Sequence, residues 1–156
     1  MRLKEFSKIE LNRKEIPNHV KSYIERELKM CATYQSLIRE LKHDLEEISE
    51  QYRCINLSTP GGGVSENTMV EVIAMQRQAI ESTIKDLEWR VRKIELGLNL
   101  LNDEQRKIVN CRVEGYLTQE ILIDELGYNS NRNKFYEMIY DANYKIGVML
   151  GVMPPI

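Results

Sequence analysis

Apolar residues recur at a spacing of seven along the first third of the chain. One series holds Ile24, Cys31, Ile38, Leu45 and Tyr52, and an interleaved series holds Tyr34, Leu41, Ile48 and Ile55. This repeat is typical of a helix that buries one stripe against a partner helix, as in a coiled coil. Asn18 follows Pro17, and its side chain can accept a backbone N–H of a first helical turn. The pattern predicts a helix from about residue 18 to about residue 54.

The same repeat returns after a segment rich in helix breakers. Residues 56–67 contain Pro60, which lacks a backbone donor, and the run Gly61, Gly62 and Gly63, which is costly to order. The second repeat holds Ile73, Ile80, Leu87, Ile94 and Leu101, interleaved with Val70, Ile84, Val91 and Leu98 and interrupted by Arg77. It predicts a second long helix that ends near residue 101.

Two helices with matched seams, joined by a loop at residues 56–67, are expected to fold back on each other. We therefore predict a long antiparallel helical hairpin over residues 18–101, after an N-terminal arm of residues 1–17. The periodicity equally allows each seam to pair with another copy of the chain across a dimer. We expect the chain to form homo-oligomers through this region.

The pattern changes near Asn102, which is expected to cap a new, shorter helix. Asp103 and Glu104 follow it, where the helix dipole favours negative charge, and Gly115 is expected to end that helix. Thr118 then precedes "QEILIDEL", a helix of about two turns that Gly127 is expected to stop.

A third C-terminal helix is predicted from about residue 131 to about residue 150. Its apolar positions follow a spacing of three and four, and they are Phe135, Ile139, Ala142, Ile146 and Met149. A two-turn helix, a turn that contains glycine and a longer helix together match the spacing of a helix-turn-helix. We therefore predict an all-α protein in which residues 102–156 form a three-helix DNA-binding domain.

The residues of this segment strengthen that interpretation. The run "LNDEQRKIVNCRVEGYLTQEILIDELGYNS" resembles the promoter-reading domain of bacterial sigma factors and their phage relatives, with L-x-x-E-x-R-x-I, then Thr, then Leu-Gly. Together with "VKSYIERELKMCATYQSLIRELKHDLEEI" and the following heptad helix, most of the chain resembles the RinA- and ArpU-type phage transcriptional regulators. The resemblance implies binding of duplex DNA and activation of late phage genes.

Three features depart from the family's pattern. Ile123 stands where a small Ala usually packs beneath the recognition helix, which predicts looser packing of the helices there. The turn from Gly127 to Asn131 is a residue or two longer than usual, so the helix cap is Asn129, Ser130 or Asn131. The recognition helix also carries few cations, which predicts modest DNA affinity or the need for a partner.

The first two turns of a recognition helix enter the major groove of DNA. The residues expected to contact bases or phosphates are Asn131, Arg132, Asn133, Lys134 and Tyr136. Arginine can bond a guanine edge bidentately and asparagine an adenine edge, while a lysine there can equally meet a phosphate. The alternative is a polar, solvated helix start with ordinary capping.

Positioning contacts to DNA phosphates are expected from Thr118 and Gln119, at the start of the preceding helix, and from Arg112. For Thr118 a purely capping role is an equal alternative. The net charge of −2 excludes a chain that coats nucleic acid through a broad basic surface, so any DNA contact must be local.

Other chemistry receives no support from the sequence. The cysteines show no C-x-x-C spacing, and His19 and His43 are far apart without a nearby cysteine, so we predict neither a metal nor a cofactor. No nucleophile is paired with a base, and we do not predict an enzyme. With no long apolar run and no signal-peptide core, the chain is expected in the cytoplasm of the bacterial host, away from the membrane.

The leading hypothesis is a phage or prophage transcription regulator with a C-terminal, sigma-like helix-turn-helix. One rival is a sigma-like factor that contacts DNA only within a complex with host RNA polymerase. A second is a phage DNA-packaging protein of the small-terminase type, although there the helix-turn-helix usually lies at the N-terminus. A third is a scaffold whose three C-terminal helices never meet DNA.

Overall fold

The computed structural model describes residues 16–58, 64–115 and 118–154. These residues hold five helices and no strand, which confirms the predicted all-α class. The helices are α1 (Asn18–Ser58), α2 (Val64–Asn99), α3 (Asp103–Val113), α4 (Gln119–Glu125) and α5 (Arg132–Met149). No helix in these ranges is long and apolar enough to cross a membrane.

The two long helices extend further into the predicted loop than the sequence pattern indicated. Residues 56–58 close α1 and residues 64–67 open α2, so the predicted loop at 56–67 is too long at both ends. Neither stretch contains Pro or Gly, and nothing local opposes continued helix there. Pro60 and the run of Gly61, Gly62 and Gly63 lie outside the described residues.

The start of α1 also differs from the prediction by one residue. The carbonyl of Pro17 accepts hydrogen bonds from the N–H groups of Val20 and Lys21, at 3.0 and 3.1 Å. Asn18 is therefore the first residue inside the helix, and the prediction that it caps α1 was wrong. Pro17 suits the position because its own missing N–H would have no partner there.

The chain divides into two compact units at positions that differ from the predicted domain bounds. Among the described residues, a composite unit combines residues 16–31 with residues from Arg92 onward, and a two-helix unit lies within Ala32–Val91. The composite unit thus contains the first third of α1 and the end of α2 together with α3, α4 and α5.

In the two-helix unit, the buried residues of α1 and α2 occupy heptad positions. Tyr34, Ile38, Ile73, Ile84 and Val91 are each at most 9% exposed. Polar contacts join the same two helices: Lys42 Nζ lies 3.0 Å from a carboxylate oxygen of Glu88, and the Arg90 guanidinium donates to the Tyr34 hydroxyl at 3.3 Å. The amphipathic repeat therefore carries buried apolar side chains on both helices of this unit.

In the composite unit, an apolar cluster joins α3, α4 and α5. It consists of Ile108, Leu122, Ile123, Phe135 and Ile139, with Cys111, Leu126, Tyr128 and Met138 packed around it. Leu122, Ile123 and Phe135 are 0% exposed. The large Ile123 side chain is thus fully buried within the cluster that joins α4 to α5.

A buried polar network also ties α3 to α5. Asn102 and Gln105 form a reciprocal capping box, with Gln105 N–H donating to Asn102 Oδ1 at 2.8 Å, which confirms the predicted cap. The amide of Gln105 also donates to Asp141 Oδ2 at 2.8 Å, and Lys145 Nζ lies 2.9 Å from that same oxygen. The helix cap and the packing of α3 on α5 therefore depend on one buried glutamine.

Small residues allow α1 and α2 to approach α5 closely within the composite unit. A Cβ at Gly97 on α2 would lie 3.3 Å from the Ile146 backbone, and a Cβ at Gly147 on α5 would lie 3.2 Å from Ile24 Cδ1 of α1. The helices that carry the candidate site are thus packed on the start of α1 and the end of α2.

Candidate nucleic-acid interface

The start of α5 is set by Asn131. Its backbone is non-helical (φ −146°, ψ 64°), and its side-chain oxygen accepts a hydrogen bond from the N–H of Lys134 at 3.3 Å. Of the three caps that the sequence allowed, Asn131 is therefore the one used, and Arg132 is the first helical residue. This places Arg132, Asn133, Lys134 and Tyr136 within the first two turns of α5.

Among these exposed residues, one aromatic side chain, Phe135, is buried and anchors the start of α5. Phe135 is fully buried against α4, whereas Arg132, Asn133 and Lys134 are exposed and Tyr136 is 44% exposed. Within the part of the chain that the structure describes, no ion pair holds the Arg132 or Lys134 side chain. The first two turns of α5 thus present two cations and an amide to solvent on a rigid support.

The preceding helix begins at Thr118 with a different kind of cap. The backbone of Thr118 is extended (φ −66°, ψ 158°) and its carbonyl accepts from the N–H of Leu122 at 3.0 Å, but its side chain makes no capping hydrogen bond. Gln119, the first residue of α4, is half-buried. The exposed Thr118 hydroxyl is not used in stabilising the helix start.

The turn between α4 and α5 depends on Gly127. Its φ of +81° lies in the left-handed region that L-residues rarely adopt, and the N–H of Tyr128 returns to the Ile123 carbonyl at 2.9 Å. The Tyr128 ring packs on Phe135, with centroids 5.7 Å apart, and its hydroxyl donates to Glu104 Oε2 at 3.0 Å. Partial burial, and next the hydrogen bond to Glu104, raise the pKa of Tyr128 above its ordinary value of 10.0.

Four of the eight residues predicted to contact DNA lie along one open groove of the composite unit. Arg112, Gln119, Asn133 and Tyr136 line it, and its volume is about 920 Å³. The other four predicted residues, Thr118, Asn131, Arg132 and Lys134, are exposed at the starts of α4 and α5 and are not part of this lining.

Part of the groove is formed by α1, which the sequence did not predict to lie near these residues. Lys21 and Glu25 of α1 line it together with the predicted residues, and the Glu25 carboxylate forms an ion pair with the Arg112 guanidinium. The Arg112 and Glu25 side chains are 25% and 39% exposed. No local signal could have revealed this pair, because the two residues are 87 positions apart in the chain.

The charges along the groove nearly cancel. Lys21 and Arg112 bring positive charge, while Glu25, Glu137 and Asp141 bring negative charge, and Asp141 is itself paired with Lys145. Strong attraction for a polyanion cannot arise from the groove alone. The exposed cations at the start of α5 are therefore the main positive feature beside it.

Two other groups of side chains carry metal-ligating or nucleophilic atoms. His43, Asp44 and Glu47 have ligand atoms within 4.8 Å of one another, but all three are exposed on one turn of α1, where such groups are common without a metal. The described cysteines are free thiols, and burial, followed by Glu95 and Glu27, raises the pKa of Cys31. Neither group has the enclosed geometry of a metal centre or an activated nucleophile.

Comparison with protein-family models, with curated proteins and with solved structures finds no match to this chain.

Proposed function

We propose that the protein is a DNA-binding transcription regulator in which α3, α4 and α5 form a sigma-like helix-turn-helix domain. The observation that carries the proposal is the start of α5, where Arg132, Asn133 and Lys134 are exposed around a fully buried Phe135. A short helix, a glycine turn and a longer helix with a rigid polar end form the arrangement that reads a major groove.

Each exposed side chain has a role in this proposal. Arg132 can bond the O6 and N7 atoms of guanine bidentately, and Asn133 can bond the edge of adenine. Lys134 and the exposed Thr118 hydroxyl supply phosphate contacts, which position the helix without reading sequence. Asn131 acts mainly as the helix cap, because its side-chain oxygen is already used by Lys134 N–H.

We further propose that the two-helix unit is an antiparallel hairpin through which the chain forms homo-oligomers or docks a partner. The contacts of Lys42 with Glu88 and of Arg90 with Tyr34, together with the buried heptad positions, support this arrangement. The resemblance to RinA- and ArpU-type regulators assigns the protein to the activation of late phage genes.

The first test is a mobility-shift titration of the purified protein against the DNA that flanks its own gene, at low and moderate salt. We expect saturable, sequence-selective shifts with a shallow salt dependence, because few phosphate contacts are available. The double variant Arg132→Ala with Lys134→Ala should lose binding while keeping its helicity and melting temperature.

A matched control removes the same charge elsewhere. Arg39 and Lys85 are exposed residues of the two-helix unit, and the Arg39→Ala and Lys85→Ala double variant should bind DNA almost as the wild type does. Equal loss of binding in both double variants would show a general charge effect, and unchanged binding in the first would contradict the assigned site.

A second candidate function is a sigma-like factor that contacts DNA only together with host RNA polymerase. The pairing of Arg112 with Glu25 favours it, because this leaves few unpaired cations on the face that would meet DNA. A shift that occurs only after polymerase is added, with co-purification of the two proteins, would support this candidate over the first.

A further inference from the structure

The ion pair between Glu25 and Arg112 lies among the residues that are proposed to meet DNA. Both side chains line the groove that also contains Gln119, Asn133 and Tyr136. Arg112 occupies the last turn of α3, and Glu25 reaches it from α1 within the same compact unit. The groove therefore contains a negative charge, the Glu25 carboxylate, in contact with one of its few cations.

A guanidinium presents a planar set of N–H donors that fits a carboxylate and a phosphate in the same way. The Glu25 carboxylate accepts from Nη2 of Arg112, so a DNA phosphate can take this donor only by displacing the carboxylate. The pair is partly exposed, so an ionic ligand from solvent can reach it. Displacing Glu25 costs only the free energy of a modest ion pair, which a contact between Arg112 and a DNA phosphate can offset.

No other carboxylate pairs with Arg112 among the described residues. Glu137 and Asp141 of α5 line the same groove, but Asp141 is held by Lys145 and Gln105. Lys21 lies one turn before Glu25 on α1 and faces the groove as well. Without the charge of Glu25, Lys21 and Arg112 would together form a positive edge.

We infer that Glu25 occupies on Arg112 the position of a DNA backbone phosphate, and so acts as an internal competitor that lowers the affinity of this surface for duplex DNA. This inference rests on the proposed function. It assigns a negative regulatory role in DNA binding to the first third of α1.

The test measures binding of a fluorescein-labelled duplex of mixed sequence by anisotropy over a range of salt concentrations. Glu25→Gln should raise affinity about threefold or more, since an ion pair of this exposure corresponds to roughly a two- to fivefold effect. The slope of log affinity against log salt should steepen by about 0.9, the contribution of one added phosphate contact.

Two comparisons separate this effect from general repulsion. Glu137→Gln removes an equal charge from the same groove without releasing Arg112, and should change affinity and salt slope much less. When Arg112 is already replaced by Ala, Glu25→Gln should raise DNA affinity no more than Glu137→Gln does, because the guanidinium that Glu25 would release is absent. Thermal melting followed by circular dichroism checks the folding of every variant. If Glu25→Gln does not fold, Glu25→Asp replaces it. Its shorter side chain should weaken the ion pair only in part, so the gain in DNA affinity should be smaller.

Gain of affinity in Glu25→Gln that disappears with Arg112→Ala supports the inference. Equal effects of Glu25→Gln and Glu137→Gln, or weaker binding by Glu25→Gln, overturn it while the proposed function stands. Absence of binding by the wild type and every variant at low salt overturns the proposed function and the competitor role with it.

Discussion

At the scale of single residues, Gln105 connects two structures that sequence reasoning treated separately. Its backbone and side chain complete the cap of α3, and its amide also reaches Asp141 on α5. The residue is 3% exposed, so loss of its side chain would remove these hydrogen bonds from a buried position, while Asp141 keeps Lys145 as a partner.

We therefore expect Gln105→Ala to lower the free energy of unfolding by about 1.5 kcal/mol, from the lost side-chain half of the capping box and the lost hydrogen bond to Asp141. Urea unfolding followed by circular dichroism measures this. Gln76→Ala on the exposed face of α2 is the control and should stay within about 0.5 kcal/mol of the wild type. Similar values for the two variants would contradict the role of Gln105.

Tyr128 makes a pH-dependent prediction at the same scale. Because its pKa is raised in the folded protein, the hydrogen bond to Glu104 is fully present below the unfolded value near 10.0 and is lost as pH rises through the higher folded value. Wild-type stability should thus fall more steeply in alkali than that of Tyr128→Phe. Parallel alkaline profiles of the two proteins would argue against the raised pKa.

At the scale of elements, the turn between α4 and α5 provides the clearest test. Gly127 has positive φ, and a Cβ built there would meet nothing within 4 Å, so a substitution is opposed by backbone conformation alone. Gly127→Ala should cost about 1 kcal/mol.

Gly127→Asn serves as the comparison for that prediction, since asparagine tolerates the left-handed region better than alanine. It should recover part of the loss in a urea titration. If Asn proved as costly as Ala, side-chain sterics rather than backbone conformation would explain the loss.

At the scale of the whole molecule, burial is uneven along the chain. In α1, Tyr34 and Ile38 are buried, whereas the later heptad positions Leu41, Leu45 and Ile48 are only half-buried. In contrast, Phe135, Ala142 and Ile146 of α5 are at most 1% exposed. Local opening is easiest where few apolar contacts must be broken.

Hydrogen exchange should consequently be faster over residues 41–54 than over residues 135–146. Repeating the measurement at several protein concentrations tests the dimer alternative. Protection of residues 41–54 that increases with concentration would show that another copy covers this seam, while concentration-independent exchange would favour the hairpin within one chain.

Much of the local structure could be predicted from the sequence. The heptad repeats located α1 and α2, Asn102 located the start of α3, and Gly115 and Gly127 located the ends of α3 and α4. The errors were also local. Asn18 is not a cap of α1. α1 continues to Ser58 and α2 begins at Val64, because only the central residues of the predicted loop at 56–67 are Pro or Gly.

The sequence by itself determined the all-α class, the number and order of the helices and the polar start of α5, because periodicity, caps and glycines act over a few residues. Only the tertiary structure decided that the start of α1 and the end of α2 belong to the same compact unit as α3 to α5. It alone joined Gln105 to Asp141, 36 positions away, and Arg112 to Glu25, 87 positions away. Such pairings depend on how helices pack in space, and surface charges at distant positions carry no periodic signal of their partners.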